Sequence, residues 1–234
     1  MRILGPVSVD GSVEDLRNRP RAREILAYLV SHPAGCSGDA LASAIWPQRR
    51  VPVQTVANRL SELRRALGEA NDGTSRLRRV GARHRLSGEV ATDWSRFSDL
   101  TAAGSTMSDW AEALSLVRGR PFSDLGSDWP LLEGISQEIE SAVIDTASRL
   151  ASVRLGVGDL QGADWALRRG ILVSPWDERL YRLLMLVRHE SGSRAGVELA
   201  LRNLARALEL EGDPLEGVHP KTAELYLRLL AAKA

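Results

Sequence analysis

Apolar positions recur along the chain with two different periods. Ile3, Val7 and Val9 flank Gly5-Pro6 and precede the turn dipeptide Asp10-Gly11, which predicts a small N-terminal β-hairpin. From Pro20 the spacing becomes helical, with Ala22, Ile25, Leu26, Leu29 and Val30 on one face until His32-Pro33 and Gly35 end the helix. Ser37 can cap a second helix over residues 39–46, which turns Leu41, Ile45 and Trp46 inward and stops at Pro47. A third helix, residues 52–68, follows Pro52, gathers Val53, Val56, Leu60, Leu63 and Leu67 into one stripe, and ends at Gly68. Leu77 to Val80 and His84 to Leu86 read as short strands around Gly81-Ala82-Arg83. A short β segment, three helices and a hairpin in this order define a winged helix-turn-helix.

Beyond the small, polar stretch 101–109 the pattern is helical only, with predicted helices over 108–117, 129–155, 160–173, 177–190, 194–209 and 222–232. The chain therefore divides into a winged-helix domain, 1–98, and an all-α domain, 99–234, and the fold class is mainly α. Sliding the second part against itself by 34 residues pairs Leu150 with Leu184, Gly158 with Gly192, Ala166 with Ala200 and Leu167 with Leu201. That is the tetratricopeptide period, in which helix pairs stack because none can bury its apolar face alone. About three pairs are expected. Their binding face, which suits a peptide or a helix, is expected to be mildly acidic.

That expectation rests on charge. The net charge of +1 over 234 residues conceals sixteen arginines and ten carboxylates in residues 1–97, a balance of +6, and fifteen cations and twenty carboxylates in residues 98–234, a balance of −5. Ten arginines fall between Arg49 and Arg85, against Glu62, Glu69 and Asp72, so a phosphate-bearing partner is implied for that window. The single cysteine, Cys36, excludes an internal disulfide and a cysteine-rich zinc site. No apolar run approaches the roughly 20 residues of a membrane span, and no signal segment opens the chain. A cytoplasmic protein without membrane contact is expected.

The candidate chemistry lies on the polar side of the third helix. Asn can contact adenine and Arg guanine with two hydrogen bonds each in the major groove, so Gln54, Asn58 and Arg59 are candidate base readers. Thr55, Ser61 and Glu62 share that side, and Arg65 is a candidate phosphate contact. Arg64 projects within about 50° of the centre of the apolar stripe, so it either neutralises a carboxylate or reaches a phosphate beside the helix. Arg76, Arg78, Arg83 and Arg85 would form a basic wing, residues 76–87, with Arg76 and Arg78 on one face and Leu77 and Arg79 on the other. A solvated helix face and a charged edge strand explain the same residues without DNA.

Signatures of catalysis are missing. His32, His84, His189 and His219 lack metal-ligand spacing, and Gly156-Val157-Gly158 follows a helix where a dinucleotide fingerprint needs a strand. Neither an enzyme nor a cofactor is expected. Trp46, Trp110, Trp165 and Trp176 sit beside apolar neighbours and are expected in the core.

The order of elements resembles the actinobacterial antibiotic regulatory proteins, in which an OmpR-type winged helix precedes a bacterial transcriptional activator domain. The matching residues are Ile3-Leu4-Gly5-Pro6-Val7, the helix 21–30, the segment from Leu41 to Trp46-Pro47, Thr55-Val56 with 60–68, Arg85-Leu86 and 93–97. In the second domain they are Ala113-Leu114, Arg118-Gly119-Arg120-Pro121-Phe122, Leu155-Gly156, Pro175, Glu178 and Met185. The resemblance implies head-to-tail binding to direct repeats of double-stranded DNA, with the third helix in the major groove and the wing on the backbone. It also implies contact with RNA polymerase, and the helical domain is expected to serve this or self-association. By residue it carries over to Thr55, Asn58, Arg59, Ser61, Glu62, Arg64, Arg65, Arg83 and Arg85. Two departures stand out: Arg83-His84-Arg85-Leu86 replaces the usual Gly-Tyr-Arg-Leu, and 213–220 lacks the Leu-Gly-x-x-Pro ending. In these the chain is closer to a subgroup in which the same two domains end larger, sometimes membrane-anchored, LysM-containing chains. That leaves an alternative, a protein-interaction module whose winged helix no longer reads sequence.

Overall fold

The computed structural model describes residues 1–88 and 90–231. The predicted helix end at residue 232 lies outside them. Along the chain run α1 (Pro20–Ser31), β1 (Cys36–Ser37), α2 (Gly38–Ile45), α3 (Val53–Leu67), β2 (Leu77–Val80), β3 (Arg83–Leu86), α4 (Asp93–Leu100), α5 (Met107–Ser115), α6 (Trp129–Leu132), α7 (Ile135–Gly156), α8 (Leu160–Val173), α9 (Glu178–Glu190), α10 (Arg194–Ala207), α11 (Pro214–Gly217) and α12 (Pro220–Ala231). They form two compact units: Met1–Arg96 with Pro121–Ile139, and Phe97–Arg120 with Glu140–Ala234. A single cut after residue 98 therefore does not describe the packing, because 121–139 belongs with the first unit.

In the first unit α1, α2 and α3 close a core of Ile25, Leu26, Leu29, Leu41, Ile45, Leu60 and Leu63, with Leu77 reaching in from the sheet. The three strands are antiparallel in the order β1-β3-β2, with Cys36 opposite His84 and Arg78 opposite Arg85. This is a winged helix-turn-helix. The expected N-terminal hairpin is reduced to one bridge, Arg2 with Ser8. Carboxylates take the place of a strand partner: Asp93 accepts the N–H groups of Ile3 at 2.6 Å and Leu4 at 3.1 Å, and Asp124 accepts that of Val7 at 2.6 Å. Buried N–H donors must find acceptors, and charged acceptors are the strong ones.

The 121–139 segment is the part that periodicity misreads. Residues 129–155 do not form one helix, because Gly134 adopts φ +77° and separates α6 from α7. The segment buries Phe122 and Trp129, and Tyr28 of α1 meets the Trp129 ring edge-on with centroids 4.9 Å apart. Its polar groups pair with the same helix. The Ser127 hydroxyl donates to the buried Glu24, which also holds Arg21, and Arg23 meets Asp124 at 2.6 Å.

The second unit is helical among the described residues. Its 34-residue offset is physical: Asp159 and Ser193 cap α8 and α10 by accepting the N–H groups of Gly162 and Gly196, and Gly158 and Gly192 share a left-handed turn just before them. Two complete pairs, α7 with α8 and α9 with α10, are followed by α12, where about three pairs were expected. Trp176 is 41% exposed with the Arg120 guanidinium 4.9 Å over its ring, so it is not a core residue. The expected mildly acidic face is also corrected. Where α7, α9 and α12 line a groove, Arg149, Arg179, Arg182, Lys221 and Arg228 face one carboxylate, Asp145. Helical spacing gathers like charges on one side whatever the net charge of the domain.

At Gly170 of α8, an added Cβ would lie 2.9 Å from Leu180 Cδ1 and 3.0 Å from Ala147 Cβ, so α7, α8 and α9 meet on this residue. Gly170→Ala should lower stability by about 1–3 kcal/mol through overpacking. Gly156→Ala, which meets open space, should not lower it. Urea denaturation of both variants checks the pair.

Candidate nucleic-acid interface

The site is built on α3. Pro52 caps its N-terminus in an extended conformation, and the carbonyls of its last turn are satisfied from three directions. Val13 and Glu14 donate their N–H groups to the Ala66 oxygen at 2.8 and 3.3 Å, Gly68 donates to Arg64, and Arg76 Nη1 donates to the Leu67 oxygen at 2.9 Å. The last contact places a cation at the negative end of the helix dipole. Val56, Leu60, Leu63, Ala66 and Leu67 are buried. Val53 is 79% exposed, contrary to the expected stripe, because it occupies the first helical position, one turn before the helix is covered.

The opposite face presents Gln54, Ala57, Asn58, Ser61 and Arg65, all exposed, at spacings of three and four residues. Gln54 Nε2 donates to Asn58 Oδ1 at 2.8 Å, which orients the two amides as a pair. Thr55 is half-buried. Arg59 Nη1 donates to Glu62 at 2.7 Å, so the free protein holds this candidate base reader against its own helix. Arg65 has no hydrogen bond or ion pair among the described residues.

The wing arginines divide into structural and available groups. Arg64 Nε donates to the Leu77 carbonyl at 3.0 Å and ties α3 to β2, a role that neither sequence expectation for Arg64 included. Arg76 precedes β2 and turns to the end of α3, so it does not share a strand face with Arg78. The register pairs Arg78 with Arg85 and Val80 with Arg83, which puts these four on one face, opposite Leu77, Arg79, His84 and Leu86. On it Arg78 Nη2 bonds Asp72 at 3.0 Å and also Thr74, and Arg83 Nη1 bonds the Gly35 oxygen at 2.9 Å. Arg85 is exposed and has no partner among the described residues. Arg49 and Arg50, exposed in the α2–α3 connection, join the available cations although residue-by-residue reading passed over them. Their signal was a doubled arginine just after Trp46-Pro47.

Behind this face His84 is half-buried, and burial first, then Arg64 and Arg79, hold its imidazolium form below the ordinary value. Burial likewise pushes the thiol of Cys36, its cross-strand partner, up to about 11. A neutral centre beneath a cationic rim results.

Arg64→Ala should lower stability by about 1.5–3 kcal/mol, the range for a hydrogen bond from a charged donor, in a denaturant titration. Unfolded chain binds the His84 proton in the window between the lowered folded value and about 6.5, so stability should rise with pH across it and be lost as pH falls. Replacing His84→Gln should flatten that part of a stability curve taken at a series of pH values.

No curated protein matches the chain in sequence. Among solved structures the chain is similar to Mycobacterium tuberculosis EmbR, solved in complex with a low affinity phosphopeptide, with a TM-score of 0.68 at 22% identity. The match covers 98% of this chain and 64% of that one, so the chain spans about two thirds of the EmbR chain at most, and the likeness is one of fold. Among the described residues no helix is long and apolar enough to cross a membrane. Residues 92–230 match the family described as the bacterial transcriptional activator domain, a family of transcription regulators, and the chain belongs to it.

Proposed function

We propose that the chain is a DNA-binding transcriptional regulator that docks α3 in the major groove of double-stranded DNA and lays the wing along the phosphate backbone. The observation that carries this reading is the two-sidedness of α3. One side is locked into the core, and the other offers Gln54, Asn58, Ser61 and Arg65 in one exposed row. Asn58 and Arg59 read bases, the latter after exchanging Glu62 for a guanine edge; Arg65, Arg85, Arg49 and Arg50 contact phosphates. Arg64 and Arg76 act by holding α3 and the wing together. Copies bind direct repeats head to tail, and the helical unit supplies self-association, contact with RNA polymerase or contact with a peptide. EmbR was solved with a phosphopeptide, which supports a peptide partner in this group of folds.

One observation favours a second reading, a winged helix that docks proteins. Arg64, Arg76, Arg78 and Arg83 all bond within the chain. Val53 is exposed beside a groove of about 450 Å³ that Val51, Ala57 and Ala82 also line.

Duplex titrations over a salt series separate the two. On the first reading Arg65→Ala and Arg85→Ala weaken every duplex and each reduce the salt slope by about 0.9. Asn58→Ala should cost about 1–3 kcal/mol on a preferred site and little elsewhere. On the second, no variant changes duplex binding in either way.

A further inference from the structure

The groove in the second unit has no role in the DNA reading. It encloses about 650 Å³, and each of its three helices contributes one stripe: Asp145, Ser148 and Arg149 from α7, Arg179, Arg182, Leu183 and Leu186 from α9, and Lys221, Leu225 and Arg228 from α12. Spacings of three, four and seven residues put each stripe on one helix face. Leu225 is buried and Leu183 and Leu186 are half-buried, which makes an apolar floor. The cations stand above it.

Two of them are fixed. Arg179 is held by Asp177 at 2.8 Å, with Asp145 at 3.7 Å, and Arg182 bonds Thr222 at 2.8 Å beside Glu178 at 3.9 Å. Glu178 also accepts the His219 N–H at 2.9 Å and the Thr222 hydroxyl at 2.5 Å, which braces α9 against the start of α12. The others have charge to offer. Lys221 and Arg228 are exposed and form no ion pair with a described residue, and Arg149 lies over the Trp110 ring, 5.3 Å from its centroid, without a carboxylate partner. Uncompensated cations around a leucine floor call for an occupant with carboxylates and apolar side chains together.

The geometry points to this groove as the docking site for an acidic peptide segment of a partner protein, one in which Asp or Glu residues flank Leu-like residues. The inference deepens the proposed protein contact of the helical unit by naming its chemistry. Lys221 and Arg228 stand seven residues apart, about 10 Å along α12. Carboxylates three residues apart on a polyproline-II-like segment, which has three residues per turn and rises about 3.1 Å per residue, project from one side with about the same spacing. A nucleic-acid backbone would leave the leucines of the floor uncovered.

The test selects peptides from a random phage-displayed library on the full chain and titrates the enriched ones by fluorescence anisotropy. Enriched sequences should combine Asp or Glu with Leu, Ile or Phe, and raised salt should weaken them. The double variant Lys221→Glu, Arg228→Glu should lose about tenfold or more in peptide affinity. Its melting curve should be unchanged, since neither side chain has a hydrogen-bond or ion-pair partner among the described residues. Duplex binding by the same variant should also be unchanged, so a failure here is distinct from a failure of the α3 reading. The inference is overturned if selection yields no peptides, if neutral or basic peptides are enriched, or if acidic peptides bind the double variant equally well. It is likewise overturned if charge reversal weakens duplex binding, which would make the groove a nucleic-acid surface.

Discussion

The first unit depends on the burial of one side of α3. Leu60 and Leu63 lie in the core shared with α1 and α2, and once they are there the helix cannot rotate without exposing them. Its remaining side is thereby committed to solvent. The end of the helix is secured in the same way, by Val13 and Glu14 on the Ala66 carbonyl and by Arg76 on that of Leu67. Arg64 then transmits the orientation of α3 to β2 through the Leu77 carbonyl, so helix and wing present their arginines from one framework. Display of one polar row to solvent follows from packing, which is why arginines beside that surface serve as braces.

The helical unit uses the same logic with a different period. An offset of 34 residues repeats cap, turn glycine and close alanine contact, so successive pairs bury equivalent faces. The faces left over are free to differ from the average composition of the domain. Residues 98–234 carry a net negative charge, yet cations three residues apart on α9 and seven apart on α12 assemble a cationic groove among them. Local charge, set by helix register, governs which partner fits.

Much of this was legible in the sequence because the information is periodic. The three helices, the wing strands and the 34-residue offset all appear as spacings of apolar residues and breakers. What a spacing does not reveal is the receiving partner. Ile3 and Val7 read as strand residues, but Asp93 and Asp124, about 90 and 117 positions away, take the hydrogen bonds. Trp129 fits the pattern of a long helix, and only the packing of Phe122 and Trp129 with the first unit shows why the chain breaks at Gly134. Arginines were hardest of all. Arg65 and Arg85 are open to solvent whereas Arg64 and Arg76 are tethered to backbone carbonyls, and the four are alike in a list of charges. Their roles depend on a few ångströms of tertiary placement.

On the proposed function, the exposed row of α3 reads base sequence. The most direct test is selection of bound duplexes from a random pool near physiological salt, followed by titration of the enriched pool against unselected DNA. Base reading by this row should enrich a tandem repeat bound about a thousandfold or more tighter than unselected duplex. An unenriched pool, bound no tighter than about 10⁻⁴ to 10⁻⁶ M, would contradict it.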